Sequence, residues 1–329
     1  MEALPASDQS FSDDSAKNKR LDEFRIFYNH TIFPELVRME RLRLRLLRLL
    51  LVASLLMFGI LIFQFYVNLA VLTLLMAIPI ALAIGYLLYR IQEFRQTFKP
   101  HVVNLITDFI DDGLNFDPQT PLKYDPKRKI EKSVFLSSRL FVTDARFYEG
   151  EDFIEGKIGE MPFELSELDV RENSPVSSGL KEVFRGVFLH ATFPEENTEG
   201  EILVWPRHRR QYLSRSIKDF TFDGGKNVDK EVLNLSFRSQ FLTYADEDTH
   251  VISILSEPMQ DSIVQFVEKT GKDIYLSFQD RDIFVAVTED KDLLEPYLFR
   301  SNLSFELIFE FFESIHVVLR IAEEFDQTH

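Results

Sequence analysis

Between Arg48 and Arg90 the chain carries no charged residue for 41 positions, almost all of them apolar. Coiled as one helix, that run would measure about 60 Å, twice the roughly 30 Å hydrocarbon layer of a bilayer. One crossing overshoots even when tilted. Two crossings, at 49–66 and 69–89 with a reversal near Val67 and Asn68, fit the length. They also keep every backbone polar group inside a helix, as a bilayer interior requires. The run is too long for one buried core helix. It also starts too late, and lacks the small-residue site, for a cleaved leader.

The pattern changes on either side. Residues 1–20 are polar and are expected to be disordered. From Leu21 an amphipathic stretch with Phe24, Phe27 and Tyr28 leads to Pro34, which should break or kink the path before a second helical piece enters the apolar run. After Arg90 the helix should continue over 91–110 and end in the Gly- and Pro-bearing loop 111–129. Residues 130–205 then alternate as strands. "FIEGKIG" and "MPFELSELDV" read as one pair, and "KEVFRGVFLHATF" with "EILVW", joined by "PEENTEG", as a hairpin.

Further strands are expected near 232–237 and 241–245. A helix is expected over 257–270, capped by Ser256 and stopped by Gly271, with Met259, Ile263 and Phe266 on one face. "DIYLSF-QDRD-IFVAV" reads as a hairpin that sets Ile274, Leu276 and Phe278 against Ile283, Val285 and Val287. A last helix, about 303–325, carries Phe305, Ile308, Phe312, Ile315, Leu319 and Ala322 as an apolar stripe. Glu306, Glu310, Glu313 and Glu324 lie opposite, which suits core packing and not a third span.

The fold class is therefore α+β: a two-helix transmembrane hairpin anchor, then a cytoplasmic mixed, largely antiparallel β domain with flanking helices. The segments are a disordered 1–20, amphipathic and basic juxtamembrane helices at 21–48, and the hairpin at 49–90. A juxtamembrane helix and linker follow at 91–129, then the domain at 130–300, with a candidate lobe boundary at 207–230, and the terminal helix at 301–329.

Charge adds orientation. Arg38, Arg41, Arg43, Arg45 and Arg48 precede the first span, Arg90, Arg95 and Lys99 follow the second, and the turn between has no basic residue. Positive flanks stay inside, so the expected location is the cell (inner) membrane with both termini cytoplasmic. Arg38, Arg41, Arg45 and Arg48 share one side of the helix, with Arg43 apart. They are candidates for contact with anionic headgroups, about 1 kcal/mol each, or serve as a topology signal alone.

Residues 101–329 hold 44 acidic against 25 basic side chains, a net −19, which argues against a general nucleic-acid binder. Against that background Arg207, Arg209, Arg210, Arg215 and Lys218 stand together without an acid. They are candidates for a lipid or partner contact, or a loop that balances nearby acids.

Candidate chemistry is sparse. With no cysteine there is no disulfide, no thiolate zinc site and no cysteine nucleophile. The seven histidines are scattered without metal-ligand spacing, and no phosphate-binding or nucleophile-elbow motif occurs, so no catalytic residue, metal or cofactor is assigned. A calcium-loop reading around Gly113 fails at Ile110 and Gln119. His190 is expected at the edge of the core. The acids Glu149, Glu151, Asp152 and Glu155 could supply paired carboxylates, although a turn with solvated charge accounts for them more simply.

The order of a basic segment, a two-span hairpin and a strand-rich domain resembles a bacterial membrane family known as domain of unknown function 3137. Gly150, Glu151, Asp152 and Gly156, the Gly186–Phe188 strand and the late helix–hairpin carry the likeness, which runs from about Arg20 to Phe299 and leaves out the last helix. The resemblance implies a membrane protein without an established activity. It suggests, by association only, a LemA-type membrane protein as partner. The leading expectation is a non-enzymatic interaction or scaffold module. An envelope sensor or complex subunit, and a carboxylate-dependent enzyme on a membrane-proximal substrate, are the alternatives.

Overall fold

The computed structural model describes residues 22–67, 69–111, 121–174, 179–193, 200–246 and 249–328. The 1–20 tract, the reversal at Asn68 and parts of the 111–129 and 194–200 connections lie outside them. The chain forms two bodies, one built from residues 22–105 and 294–308, the other from 106–293 and 309–328.

In the first body, one helical run spans Asp22–Val67. Pro34 does not break it. A π turn at Tyr28–Ile32, in which the Phe33 N–H bonds back to the Tyr28 carbonyl, precedes α1 (Phe33–Val67). The wide turn makes room where the proline ring and its missing N–H would otherwise disrupt the ladder. α2 (Ala70–Asp111) follows and runs on through Pro79 and Pro100. Near the reversal, the buried Thr73 hydroxyl donates to the Gln64 side-chain oxygen and so ties the two helices together.

The second body is organised by one sheet. In chain order its elements are β1 (Lys123–Asp125), α3 (Lys132–Ser137), β2 (Phe147–Ile158), β3 (Met161–Asn173), β4 (Leu180–Thr192) and β5 (Glu201–Pro206). Next come α4 (Ser214–Phe222), β6 (Lys226–Asn227), α5 (Leu235–Gln240), β7 (Phe241–Ala245), α6 (Val251–Ile254) and α7 (Glu257–Thr270). β8 (Ile274–Gln279), β9 (Asp282–Thr288) and, from residue 309 on, α8 (Phe305–Thr328) complete it. The nine strands run β1-β2-β3-β4-β9-β8-β5-β7-β6, every recorded pair antiparallel.

The expected β2–β3 and β8–β9 pairs form, the latter with Ile274 opposite Val287, Leu276 opposite Val285 and Phe278 opposite Ile283. The expected β4–β5 hairpin does not. The β8–β9 hairpin inserts between them, so β4 pairs with β9 and β5 with β8 and β7. Neighbours in sequence are neighbours in a sheet only about two-thirds of the time, and alternation carries no information about an insertion. The expected strand near 232–237 is also corrected. Asn234 caps α5 there, its side chain accepting from the Phe237 N–H, which favours a helical turn over extension. The candidate lobe boundary at 207–230 contains β6 and lies between β5 and β7, which pair directly in this one sheet.

Both faces of the sheet's central strands are buried. On one, Phe135 and Phe141 stack with centroids 5.6 Å apart and meet Phe184, Phe188 and Tyr275, continuous with Phe284, Leu203 and Trp205. The Trp205 indole N–H donates to the Leu140 carbonyl. The alternate residues Val187, Leu189, Ile202, Val204, Leu276 and Val285 are buried as well. α7 has the expected caps at Ser256 and Gly271 and buries Met259, Ile263 and Phe266.

α8 buries Ile308, Phe312, Ile315, Leu319 and Ala322, so its stripe is core. It is fastened by Lys272, whose ammonium donates to Glu289 and Ser314 at 2.8 Å each. Burial holds the Glu289 carboxyl above its ordinary range, and Lys272 offsets this only in part.

The resemblance-bearing glycines occupy crowded positions. A Cβ on Gly186, at φ +147°, would stand 2.0 Å from the Val287 carbonyl oxygen, and one on Gly150 2.5 Å from that of Glu167. β4 and β9, and β2 and β3, approach as closely as they do because those side chains are missing.

His190 lies on β4 with its ring stacked on Phe284 and its nitrogens 3.1 Å from Glu164 and 2.8 Å from Asp282. Burial alone would lower its pKa, but the hydrogen bonds to Asp282 and Glu164 outweigh that and hold it at about 9. Raised above its ordinary value near 6.5, the group stabilises the fold fully below that value, and the contribution disappears as pH climbs through 9. Urea unfolding of the full chain in detergent should therefore show His190→Asn costing stability at pH 6 and costing progressively less by pH 10. A pH-independent difference would contradict the pairing.

Candidate membrane interface and polar clusters

α1 and α2 are each long and apolar enough to cross a membrane, and only 17% and 11% of their most apolar windows are buried. Within the helical approach to that run, Arg38, Arg41, Arg45 and Arg48 are all exposed. Arg43, set apart from them by helical spacing, is buried. Its guanidinium grips the buried Glu40 carboxylate one turn earlier, Nε to Oε2 at 3.0 Å, and Nη1 donates to the Leu298 carbonyl. The ladder of arginines thus divides into an exposed set and one member that holds the 294–308 segment.

The 207–218 segment is a short 3₁₀ turn at Arg207–Arg209 followed by α4. Arg207 donates to the Asp229 carboxylate at 2.7 Å and to the Arg238 and Phe241 carbonyls. Arg209 donates to Asp273 at 2.7 Å, and Arg215 to Glu172 at 3.2 Å. These three neutralise acids of their own domain. Arg210 and Lys218 are exposed and meet no acid among the described residues. An open cavity of about 380 Å³ adjoins the turn, lined in part by Arg207, His208, Gln240, Phe241 and Asp273. Its charged groups pair with one another or with the sheet, His208 lying 3.2 Å from Asp273.

The acids at 149–155 do not form a solvated turn. They lie along β2, where a register shift between Glu151 and Ile154 turns Asp152, at φ 58°, into the body. Asp152 and Glu167 of β3 are buried, and with Glu151 they bring carboxylate oxygens within 4.8 Å of one another. The Tyr124 hydroxyl donates to Asp152 at 2.5 Å, and the Leu293 N–H to Glu167 at 3.1 Å. Burial first, and the Asp152 charge second, push the Tyr124 hydroxyl far above its usual range. Three hard oxygen donors at this spacing have the chemistry of a divalent-cation ligand set. Glu149 is exposed, and Glu155 is taken up by Arg128 at 2.8 Å. Sequence spacing offered Asp152 but not Glu167, which only the strand register brings opposite Glu151.

The Glu40–Arg43 pair yields a direct test. Arg43→Ala leaves a buried carboxylate uncompensated and should cost about 3–5 kcal/mol in detergent-solubilised thermal unfolding. Arg43→Met with Glu40→Leu should recover most of that loss. Equal loss in both variants would mean the pair is not the source.

Residues 182–327 match the model of a family described as "Protein of unknown function (DUF3137)". The match takes in Gly186 and Phe188 and extends through α8, so the last helix belongs to the likeness from which the sequence reading left it out. Gly150–Gly156 and the apolar helices precede it. No curated protein and no solved structure matches the chain. Over residues 182–327, from within β4 to the end of α8, this chain is similar to the domain described as Protein of unknown function (DUF3137).

Proposed function

We propose that the protein is a membrane-anchored interaction module. α1 and α2 cross the cell membrane as a hairpin, both termini are cytoplasmic, and the nine-stranded domain is held on the cytoplasmic side. One observation carries this reading: between Leu49 and Tyr89, 23 large apolar side chains are exposed among the described residues. At roughly 1.5–3 kcal/mol for covering each such side chain, water is an untenable surrounding and lipid an obvious one. The basic flanks supply the orientation. Arg38, Arg41, Arg45 and Arg48, exposed on α1, suit anionic headgroups, and Arg210 and Lys218 are the members of the second basic group available to an outside anion.

A partner surface is supported at the sheet's edge. β6, two residues long, is the terminal strand, and the chain around it exposes Phe222 (92%), Leu233 and Leu235 (74% each). Exposed apolar groups in the chain that flanks a terminal strand suit a protein partner, and the domain's net negative charge favours one with basic character. A LemA-type membrane protein is a partner consistent with the family association.

The absence of native cysteine makes the topology measurable. In intact cells a membrane-impermeant maleimide should label Leu69→Cys at the turn, and should label Glu160→Cys only after permeabilisation. The reverse pattern would overturn the orientation, and release of the chain by alkaline carbonate washing would overturn the anchor. In vivo cross-linking of the native chain should trap a discrete neighbour whose yield falls several-fold in Phe222→Ser/Leu235→Ser. An unchanged yield would remove the β6 edge from the account.

A further inference from the structure

We infer that the 297–302 loop is a separate lipid-contacting element, with Phe299 seated in the headgroup layer of the same leaflet that the exposed arginines of α1 face. The inference rests on the proposed membrane crossing and adds a contact that neither the helices nor the basic segments supply.

The loop is built to hold one shape. Asn302 is buried and closes the neck with both halves of its amide: the Tyr297 N–H donates to Oδ1 at 2.7 Å, and Nδ2 donates to the Tyr297 carbonyl at 3.0 Å. Next to the neck, the Tyr28 hydroxyl donates to the Leu303 carbonyl at 3.3 Å, and the Phe305 ring meets Tyr28 edge-on at 4.9 Å. Arg43, itself locked by Glu40, donates to the Leu298 carbonyl. Lys99 of α2 lies 4.0 Å from Glu295. The base is thus fastened to both helices of its own body.

The tip is the opposite. Phe299 is 85% exposed, and Arg300 and Ser301 beside it are exposed too. A phenyl ring on a mobile loop could collapse onto the protein. Here the fixed neck holds it outward, where apolar cover from outside the protein is favourable.

Depth identifies that cover. Arg43 precedes Leu49, the start of the apolar run, by six helical residues, or about 9 Å. A bilayer adds roughly 5–8 Å of headgroup region on each side of its hydrocarbon. The Leu298 carbonyl, tied to Arg43, therefore stands at the outer margin of the headgroup region, with Phe299 the next residue. An aromatic beside a basic residue is the side-chain chemistry that interfacial anchors use, and Arg300 adds to the positive set of Arg41, Arg45 and Arg48. Anionic lipid complements that charge, whereas a second copy of this chain, net −16, brings mainly negative surface.

The test uses the full chain in vesicles of phosphatidylethanolamine and phosphatidylglycerol. Single-cysteine variants Phe299→Cys, Leu55→Cys and Glu160→Cys carry a nitroxide, and collision rates with oxygen and with a neutral nickel chelate report depth. The label at 299 should show an oxygen-to-nickel ratio several-fold above that at 160 and below that at 55. If 299 matches 160 while 55 is deep, the loop faces water and the inference fails with the hairpin intact. If 299 is shielded from both reagents, protein covers it and the inference also fails. If 55 is open to nickel, the crossing itself is wrong, and the loop contact falls with it.

Discussion

The backbone ladder between β4 and β9 is the contact on which the large body depends. Seven register pairs, from Gly186 opposite Thr288 to Thr192 opposite Asp282, join β1–β4 to the strands that follow. Without them the order of strands would separate into a four-stranded meander and a five-stranded remainder, each with an open edge. Gly186 permits the approach, because any side chain there would meet the Val287 carbonyl. Phe188 and Phe284 on one face, and Leu189 and Val285 on the other, then bury the seam from both sides. The ladder sets the path; the aromatics make it stable.

How much of this was legible in the sequence follows from the range of each interaction. α7 could be read to its caps, because Ser256, the Met259–Ile263–Phe266 face and Gly271 act within a few residues of one another. The β8–β9 hairpin could be read as well, since a two-residue connection sets its register locally. The β4–β5 pairing was misread for the converse reason: both strands alternate cleanly, and nothing local says that another hairpin comes between them. Residues 232–237 take a helical turn although four of the six are apolar, a pattern that suits a strand equally, and the Asn234 cap decides it. The Pro34 expectation failed because a π turn, which leaves no sequence signature, absorbed the strain.

The polar groups divide in the same way. Helical spacing separated Arg43 from the other arginines, but only the fold supplies its reason, a carbonyl 255 residues downstream. The acids of β2 looked like a charged turn because 53 acidic residues make clusters common, and the bulge at Asp152 lies beyond any local pattern. In the basic segment, three of the five cations face acids drawn from distant strands and loops, which composition alone does not disclose.

The insertion of β8–β9 has a consequence for biosynthesis. A ribosome releases β4 about ninety residues before β9, its permanent neighbour, emerges. At translation speeds of roughly 5–20 residues per second, that leaves an interval of several seconds. Throughout it, the nascent meander presents an unsatisfied margin, and the last-made hairpin must enter from the side as a wedge between strands already present. The order of manufacture is therefore not the order of assembly, and the final quarter of the polypeptide decides whether the earlier half reaches its native arrangement.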